Sequence, residues 1–164
     1  MKGKVWRYGD NVNTDVIFPG KYTYSIKDPS EMAAHALEDL DSDFAKDVQT
    51  GDIIVAGRNF GCGSSREQAA ACLKYAGVAA IIAKSFARIY FRNAINFGLP
   101  VIQCEQAVDE LEKGDEVEID FAVGIVRAKG KEFSFPPLAE EVLEILNAGG
   151  LIPYAKQKIA SKNK

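Results

Sequence analysis

The sequence predicts a single α/β domain, and three observations predict it. Residues 52–103 read as strand–helix–strand–helix–strand, the pattern of a parallel sheet with crossover helices. Val78–Ala83 is an apolar run without polar interruption, as expected of a strand covered on both faces. Glu116–Phe121 instead alternates polar and apolar residues, the period of a half-exposed strand, so the last third is β-rich. At 164 residues the chain can bury a sizeable core, and one domain over 1–164 is expected.

Taken in order, Lys4–Tyr8 predicts a first strand ended by Gly9-Asp10-Asn11. Asn13 to Gly20 is a polar turn, a short apolar run and a Pro-Gly break. Lys21–Lys27 lacks helical periodicity and sits between breakers, so it reads as an exposed loop. Asp28-Pro29-Ser30-Glu31 supplies an N-cap, a proline at the first helical position and a glutamate three residues past the cap. It predicts a helix to about Asp39, with His35 in its middle. Asp52–Ala56 predicts a strand entering a glycine-rich loop, and a helix then runs to Ala76, ended by Gly77. After Val78–Ala83, Ser85 is expected to cap a helix over Phe86–Phe97, closed by Gly98 and followed by the strand Leu99–Gln103. Right-handed crossovers are expected throughout this unit. Ile125–Ala128 and Lys131–Phe135 are further strands, and Pro136-Pro137 starts a helix through Asn147, ended by Gly149-Gly150. Residues 153–164 carry a basic run and read as a solvated tail.

Composition excludes several classes of function. A net charge of −3 gives no basic surface for nucleic acid. No apolar run approaches the ~20 residues of a membrane span, and no signal-peptide pattern opens the chain, so a cytoplasmic protein is expected. Cys62, Cys72 and Cys104 are widely spaced, which suits neither a disulfide framework nor a metal cluster. His35 is the only histidine, so no metal site is expected from this chain alone.

Chemistry concentrates in Gly57-Arg58-Asn59-Phe60-Gly61-Cys62-Gly63-Ser64-Ser65-Arg66-Glu67. Glycines let backbone N–H groups approach a ligand, because no Cβ blocks them. A helix opening at Ser65-Arg66 would add unpaired donors and partial positive charge, and Arg66 suits a carboxylate or phosphate. An anion-binding loop is the resulting expectation, with a purely structural turn as its alternative. A Walker loop lacks its lysine here, and a dinucleotide fingerprint would need glycine where Arg66 stands. A Cys62 nucleophile would want a histidine that nothing places nearby.

Gly61-Cys62-Gly63-Ser64-Ser65-Arg66-Glu67, preceded by Gly57-x-Asn59-Phe60, resembles the swivelling domain of the aconitase superfamily. Ala83-Lys84-Ser85-Phe86-Ala87-Arg88-Ile89 and the early Asn13-Thr14-Asp15-Val16-Ile17 with Pro19-Gly20 add to the resemblance, which spans roughly residues 2–150. The length is similar to that of the free-standing small subunits of isopropylmalate dehydratases and related enzymes. The resemblance implies a β/β/α fold with a mixed, barrel-like sheet and flanking helices. It implies a hydro-lyase that isomerises a hydroxy acid by dehydration to a cis-alkene and rehydration at the neighbouring carbon. The [4Fe-4S] cluster would be carried by a large subunit, with none bound by this chain, in a heterodimer or heterotetramer. By the same resemblance Ser64 is the base, while Gly63, Ser65 and Arg66 bind a substrate carboxylate and Asp15 belongs to the substrate site.

In that superfamily the loop after Pro-Gly reads the variable group of the substrate, here through Tyr22, Thr23 and Tyr24. Tyr24 stands where tricarboxylate-using members carry arginine. A charge-assisted hydrogen bond is worth roughly 1.5–3 kcal/mol, so its loss disfavours citrate or homocitrate. Isopropylmalate, and with it leucine biosynthesis, is the expectation. Dimethylmalate, citramalate or homoaconitate are the alternatives, the last through Lys21. A non-catalytic ligand-binding module is the alternative of another class.

Overall fold

A seven-stranded mixed sheet organises the chain in this computed structural model, which describes residues 1–162. Its strands are β1 (Lys2–Arg7), β2 (Ile53–Ala56), β3 (Ala80–Ala83), β4 (Val101–Gln103), β5 (Glu116–Asp120), β6 (Ile125–Ala128) and β7 (Lys131–Ser134). The spatial order is β4-β3-β2-β1-β5-β6-β7. The first four pair in parallel, with Val5 opposite Ile53, Ile54 opposite Ile81 and Ile82 opposite Ile102. β5, β6 and β7 form an antiparallel meander joined to β1 through Lys2 and Glu118. β1 is therefore the seam between the parallel and antiparallel halves.

The period of two along each strand sorts the apolar side chains into two cores. Ile53, Val55, Ile82 and Ile102 join Val117, Ile119, Val126 and Phe133 on one face, plugged by Ala107 and Val108 of α6 (Glu105–Glu110). Ile54, Ala56, Ile81 and Val101 face the other core, with Phe18, Phe44, Phe60, Leu73 and Tyr90. Strands from both halves share the first core because the sheet curls. The curl brings the Cys104 thiol, just past β4, within 3.5 Å of the Ser134 carbonyl oxygen at the end of β7. The mixed, barrel-like sheet implied by the resemblance is thus present.

The second core is covered by α1 (Thr14–Ile17), α2 (Pro29–Ala34), α3 (Phe44–Asp47), α4 (Gln68–Tyr75) and α5 (Arg88–Asn96), with α7 (Glu140–Asn147) beyond. α4 buries five consecutive residues, Ala69 to Leu73, four of them small, which lets it sit close to its neighbours. One buried acid stitches the amino ends of β1 and β2. Asp52 accepts hydrogen bonds from Trp6 Nε1 at 2.9 Å, the Gln49 amide at 2.9 Å and the Lys4 amide at 3.3 Å.

Several boundaries differ from those read in the sequence. α2 is capped by Asp28 as expected but ends at Ala34, with His35 as its C-cap. The chain turns there because buried Leu37 adopts φ +57° and donates its amide to the Ile17 carbonyl at 2.8 Å. α4 begins at Gln68, so Ser65 and Arg66 precede the helix. Ser85 does not cap α5; its hydroxyl accepts the Asn59 amide at 2.8 Å, and Ala87 occupies the cap. α7 starts at Glu140, because Phe135 is still held extended by its amide bond to the Gly124 carbonyl. α6 was not expected. The segment expected as a tail from 153 belongs to α8 (Leu151–Lys162), largely exposed, and residues 163–164 lie outside the described residues. Lys21–Lys27 opens with a short 3-10 turn over Gly20–Tyr22, and Tyr22 is half-buried.

Candidate active site

The loops leaving the carboxyl ends of β1 and β2 run side by side, because those strands are parallel neighbours. Gly57 donates its amide to the Gly9 carbonyl, Asn11 to Arg58, Gly61 to Val12 at 2.7 Å and Thr14 to Cys62 at 2.8 Å. On its other side the second loop is held by Lys84, whose amide reaches the Gly57 carbonyl, and by the Phe60 amide, which donates to the Ser85 carbonyl. The loop is therefore clamped along both edges before it reaches its serines.

Backbone conformation explains the residue types along this path. Asn11 and Asn59 both sit in the left-handed region, at φ +55° and +59°, and the Asn59 amide side chain donates to Asn11 Oδ1 at 3.0 Å. Asparagine tolerates that region better than most residues. Gly61, at φ +78°, lies against the buried ring of Tyr90, where a Cβ would come within 2.0 Å of the ring carbon Cγ. Gly63, at φ +95°, turns the chain outward.

Beyond that turn Gly63, Ser64 and Ser65 are exposed. Buried Thr14 donates its hydroxyl to the Ser64 carbonyl oxygen at 2.9 Å. Asn13 caps α1, its side chain accepting the amides of Asp15 at 2.9 Å and Val16 at 3.1 Å. That cap holds Asp15 in place, and Asp15 Oδ1 lies 2.6 Å from Arg66 Nη1. The ion pair is close, yet buried Nη1 has no aligned hydrogen-bond acceptor among the described residues. The guanidinium lies against Gly20, where a Cβ would approach Nη1 to 2.7 Å. Asp15 and Gly20 of one stretch and Arg66 of another thus meet at one point.

The loop after Pro19-Gly20 is anchored to the segment following α2. Tyr22 stacks on His35 with ring centroids 4.0 Å apart and donates its hydroxyl to Glu38 Oε1 at 3.1 Å. Lys21 Nζ lies 3.0 Å from the same oxygen, and His35 Nδ1 lies 2.5 Å from Oε2. Partial burial pushes the Glu38 carboxyl up, but the bonds from His35, Lys21 and Tyr22 outweigh it and hold it below the ordinary range. The Glu38 bond raises Lys21. Thr23 Oγ1 is buried without a partner among the described residues, whereas Tyr24 is 92% exposed.

The structure therefore brings Asp15, Gly63, Ser64, Ser65 and Arg66 to one edge of the sheet and joins the Tyr22 loop to them through Gly20. Thr14, Gly20 and Glu38 were missing from the residues singled out in the sequence. Thr14 and Gly20 stood in a quoted motif without a role assigned, while only the folded contacts reveal Glu38. Among the described residues no group of three or more His, Cys, Asp or Glu side chains could hold a metal ion. Cys62 is partly exposed, Cys72 and Cys104 are buried, and burial pushes the Cys72 and Cys104 thiols up. These residues do not fit an iron–sulfur cluster.

Among known proteins, the family profile described as "Aconitase C-terminal domain" matches residues 10–107, the span that holds both loops. The chain belongs to the aconitase C-terminal domain family. Relatives in that family match almost end to end. The 3-isopropylmalate dehydratase small subunit of Caldicellulosiruptor bescii is 55% identical over 161 residues, covering 97% of this chain and 96% of its own. That of Aquifex aeolicus is 53% identical over 165 residues, covering 99% and 98%. The crystal structure of 3-isopropylmalate dehydratase from Methanocaldococcus jannaschii superposes with a TM-score of 0.91 at 47% identity, covering 99% of this chain and 98% of that one.

Proposed function

We propose that this chain is the small subunit of a 3-isopropylmalate dehydratase, a hydro-lyase of leucine biosynthesis, working with a large subunit in the cytoplasm. The observation that carries the proposal is Arg66. Its guanidinium, two residues from exposed Ser64, sits against Gly20 with Nη1 2.6 Å from Asp15 Oδ1, a pairing that holds it beside the exposed serines. Such a donor suits one carboxylate of a hydroxy-dicarboxylate substrate.

On this reading Ser64 removes the carbon-bound proton of the substrate and returns a proton on rehydration, at the adjacent carbon. A serine hydroxyl is a weak acid, so its deprotonated form needs preorganised donors and positive charge. On this reading the Gly63 amide and the Arg66 charge are those groups, the Gly61 amide being bound to the Val12 carbonyl. Thr14 fixes the Ser64 backbone from below, and Gly20 leaves room for the guanidinium. A [4Fe-4S] cluster carried by the large subunit supplies the Lewis acid for hydroxyl departure. The substrate loop favours an apolar substituent, since its Lys21 charge is already paired with Glu38.

Reassembly tests the proposal. The purified chain, mixed with a cluster-bearing large subunit, should isomerise 3-isopropylmalate only in the mixture. Ser64→Ala should lower kcat by about 10²–10⁴-fold with cluster content unchanged. Activity within a few-fold of the parent would remove Ser64 as base. Tight substrate binding by the chain alone, without turnover in the mixture, would mark a binding module instead.

A further inference from the structure

Glu38 lies outside every motif of the sequence, yet it gathers three side chains. Lys21 and Tyr22 from the substrate loop share Oε1, at 3.0 and 3.1 Å, and His35 meets Oε2. Lys21 Nζ also lies 4.8 Å from the centre of the Tyr22 ring. The carboxylate is delivered by a strained residue: Leu37, fully buried at φ +57°, turns the chain back so that Glu38 faces the loop. A β-carbon in that region costs energy unless the surroundings fix it, and the Leu37 amide bond to Ile17 does so. The fold thus spends backbone strain to place one carboxylate against the cation of the substrate loop.

We propose that Glu38 is a specificity-determining positioning residue, which withholds the Lys21 cation from the variable end of the substrate. With Lys21 held, Tyr22, Thr23 and Tyr24 offer that end aromatic and hydroxyl groups with no cation among them. An alkyl substituent is then accepted, while a third carboxylate meets no counter-ion and must shed its hydration uncompensated. Breaking the clamp releases Lys21, whose flexible stem can reach a carboxylate as a mobile point charge. The inference rests on the site reading above, with this loop beside the substrate.

The test uses the assembled enzyme and tricarballylate, an unreactive tricarboxylate, as competitive inhibitor and as a calorimetric ligand. Glu38→Gln should tighten its binding about tenfold, the scale of one charge-assisted contact, while Glu38→Asp keeps it near the parent value. Adding Lys21→Met to Glu38→Gln should abolish the gain. Lys21→Met alone should leave tricarballylate binding unchanged, because the cation is already withheld, and this exposed position does not endanger folding. Weaker binding in Lys21→Met alone would overturn the proposal, as would unchanged binding in Glu38→Gln. Trypsin cleavage after Lys21 in the free chain should also speed up in Glu38→Gln, and an unchanged rate would contradict the clamp. If the parent assembly fails to turn over 3-isopropylmalate while these shifts appear, the dehydratase reading fails and the Glu38 clamp stands.

Discussion

The Thr14 hydroxyl donates to the Ser64 carbonyl oxygen at 2.9 Å, across 50 residues of sequence. Thr14 is only 2% exposed, so the bond is shielded from water at one end. It fixes the peptide that carries the proposed base. Thr14→Val keeps the shape and removes the donor. The assembled enzyme should lose kcat by about 10²-fold, the scale of a catalytic group displaced by about an ångström, with a smaller change in KM. Thr14→Ser should restore most of it. A Val variant with parent kcat would show that the bond only packs the loop.

The contact of Gly61 with Tyr90 predicts a stability effect that separates strain from overlap. Gly61→Ala places a methyl in overlap with Cβ and Cγ of Tyr90 at φ +78°, so both costs apply. Gly114, at φ +90°, has nothing within 4 Å and meets only the backbone cost. Denaturant midpoints should report about 1–2 kcal/mol for Gly114→Ala and about 2–4 kcal/mol for Gly61→Ala once overpacking is added. Equal losses would mean that the Tyr90 ring moves aside freely.

Asp52 is buried and accepts from three donors, including the indole of Trp6, the only tryptophan. Asp52→Ala leaves those donors unpaired near the amino ends of β1 and β2. Unfolding should cost about 2–4 kcal/mol less than in the parent. The fluorescence of Trp6 in the folded protein should change with it. Turnover of the assembled enzyme should survive at temperatures where the variant stays folded, since Asp52 lies at the opposite end of the strands from Ser64.

Acid stability has a definite sign. The Ser30 hydroxyl, then the Glu31 amide, hold the Asp28 carboxyl below its ordinary range, and Lys129 followed by the Glu112 amide does the same for Asp115. A lowered folded value means the charged form is favoured in the fold. That stabilisation is present above the ordinary carboxylate value and is lost as pH falls through the lower folded value. Melting temperature should therefore drop below about pH 4. The drop should be shallower in Asp28→Asn and in Asp115→Asn, and an unchanged slope in both would rule out these contacts as contributors.

Legibility followed how locally each feature is encoded. Strands β2, β3 and β4 and the Asp28 cap were readable because an apolar run or a capping pattern is contained in a few residues. The end of α2 was not, since Leu37 is turned by a bond to Ile17, twenty residues back. The start of α4 was misplaced because Ser64 gives its carbonyl to Thr14 rather than to a helical turn. Ser85 looked like a helix cap but serves the Asn59 amide, a partner that only the pairing of two loops supplies. At the site, the glycine–serine–arginine stretch was visible, while Gly20 and Glu38 act through contacts with no sequence period.

The registry of β1 on β2 has a consequence for fidelity. Val5 faces Ile53, and from that alignment the two outgoing loops meet with Thr14 at Ser64. A slip by one residue would carry Thr14 about 3.3 Å along the strand axis. It would also send Ile53 and Val55 toward the core that now holds Ile54 and Ala56, exchanging the contents of both interiors. Misalignment of the two loops is therefore coupled to an inside-out sheet, which cannot persist. The hydrophobic alternation works as a proofreader for the placement of the serine.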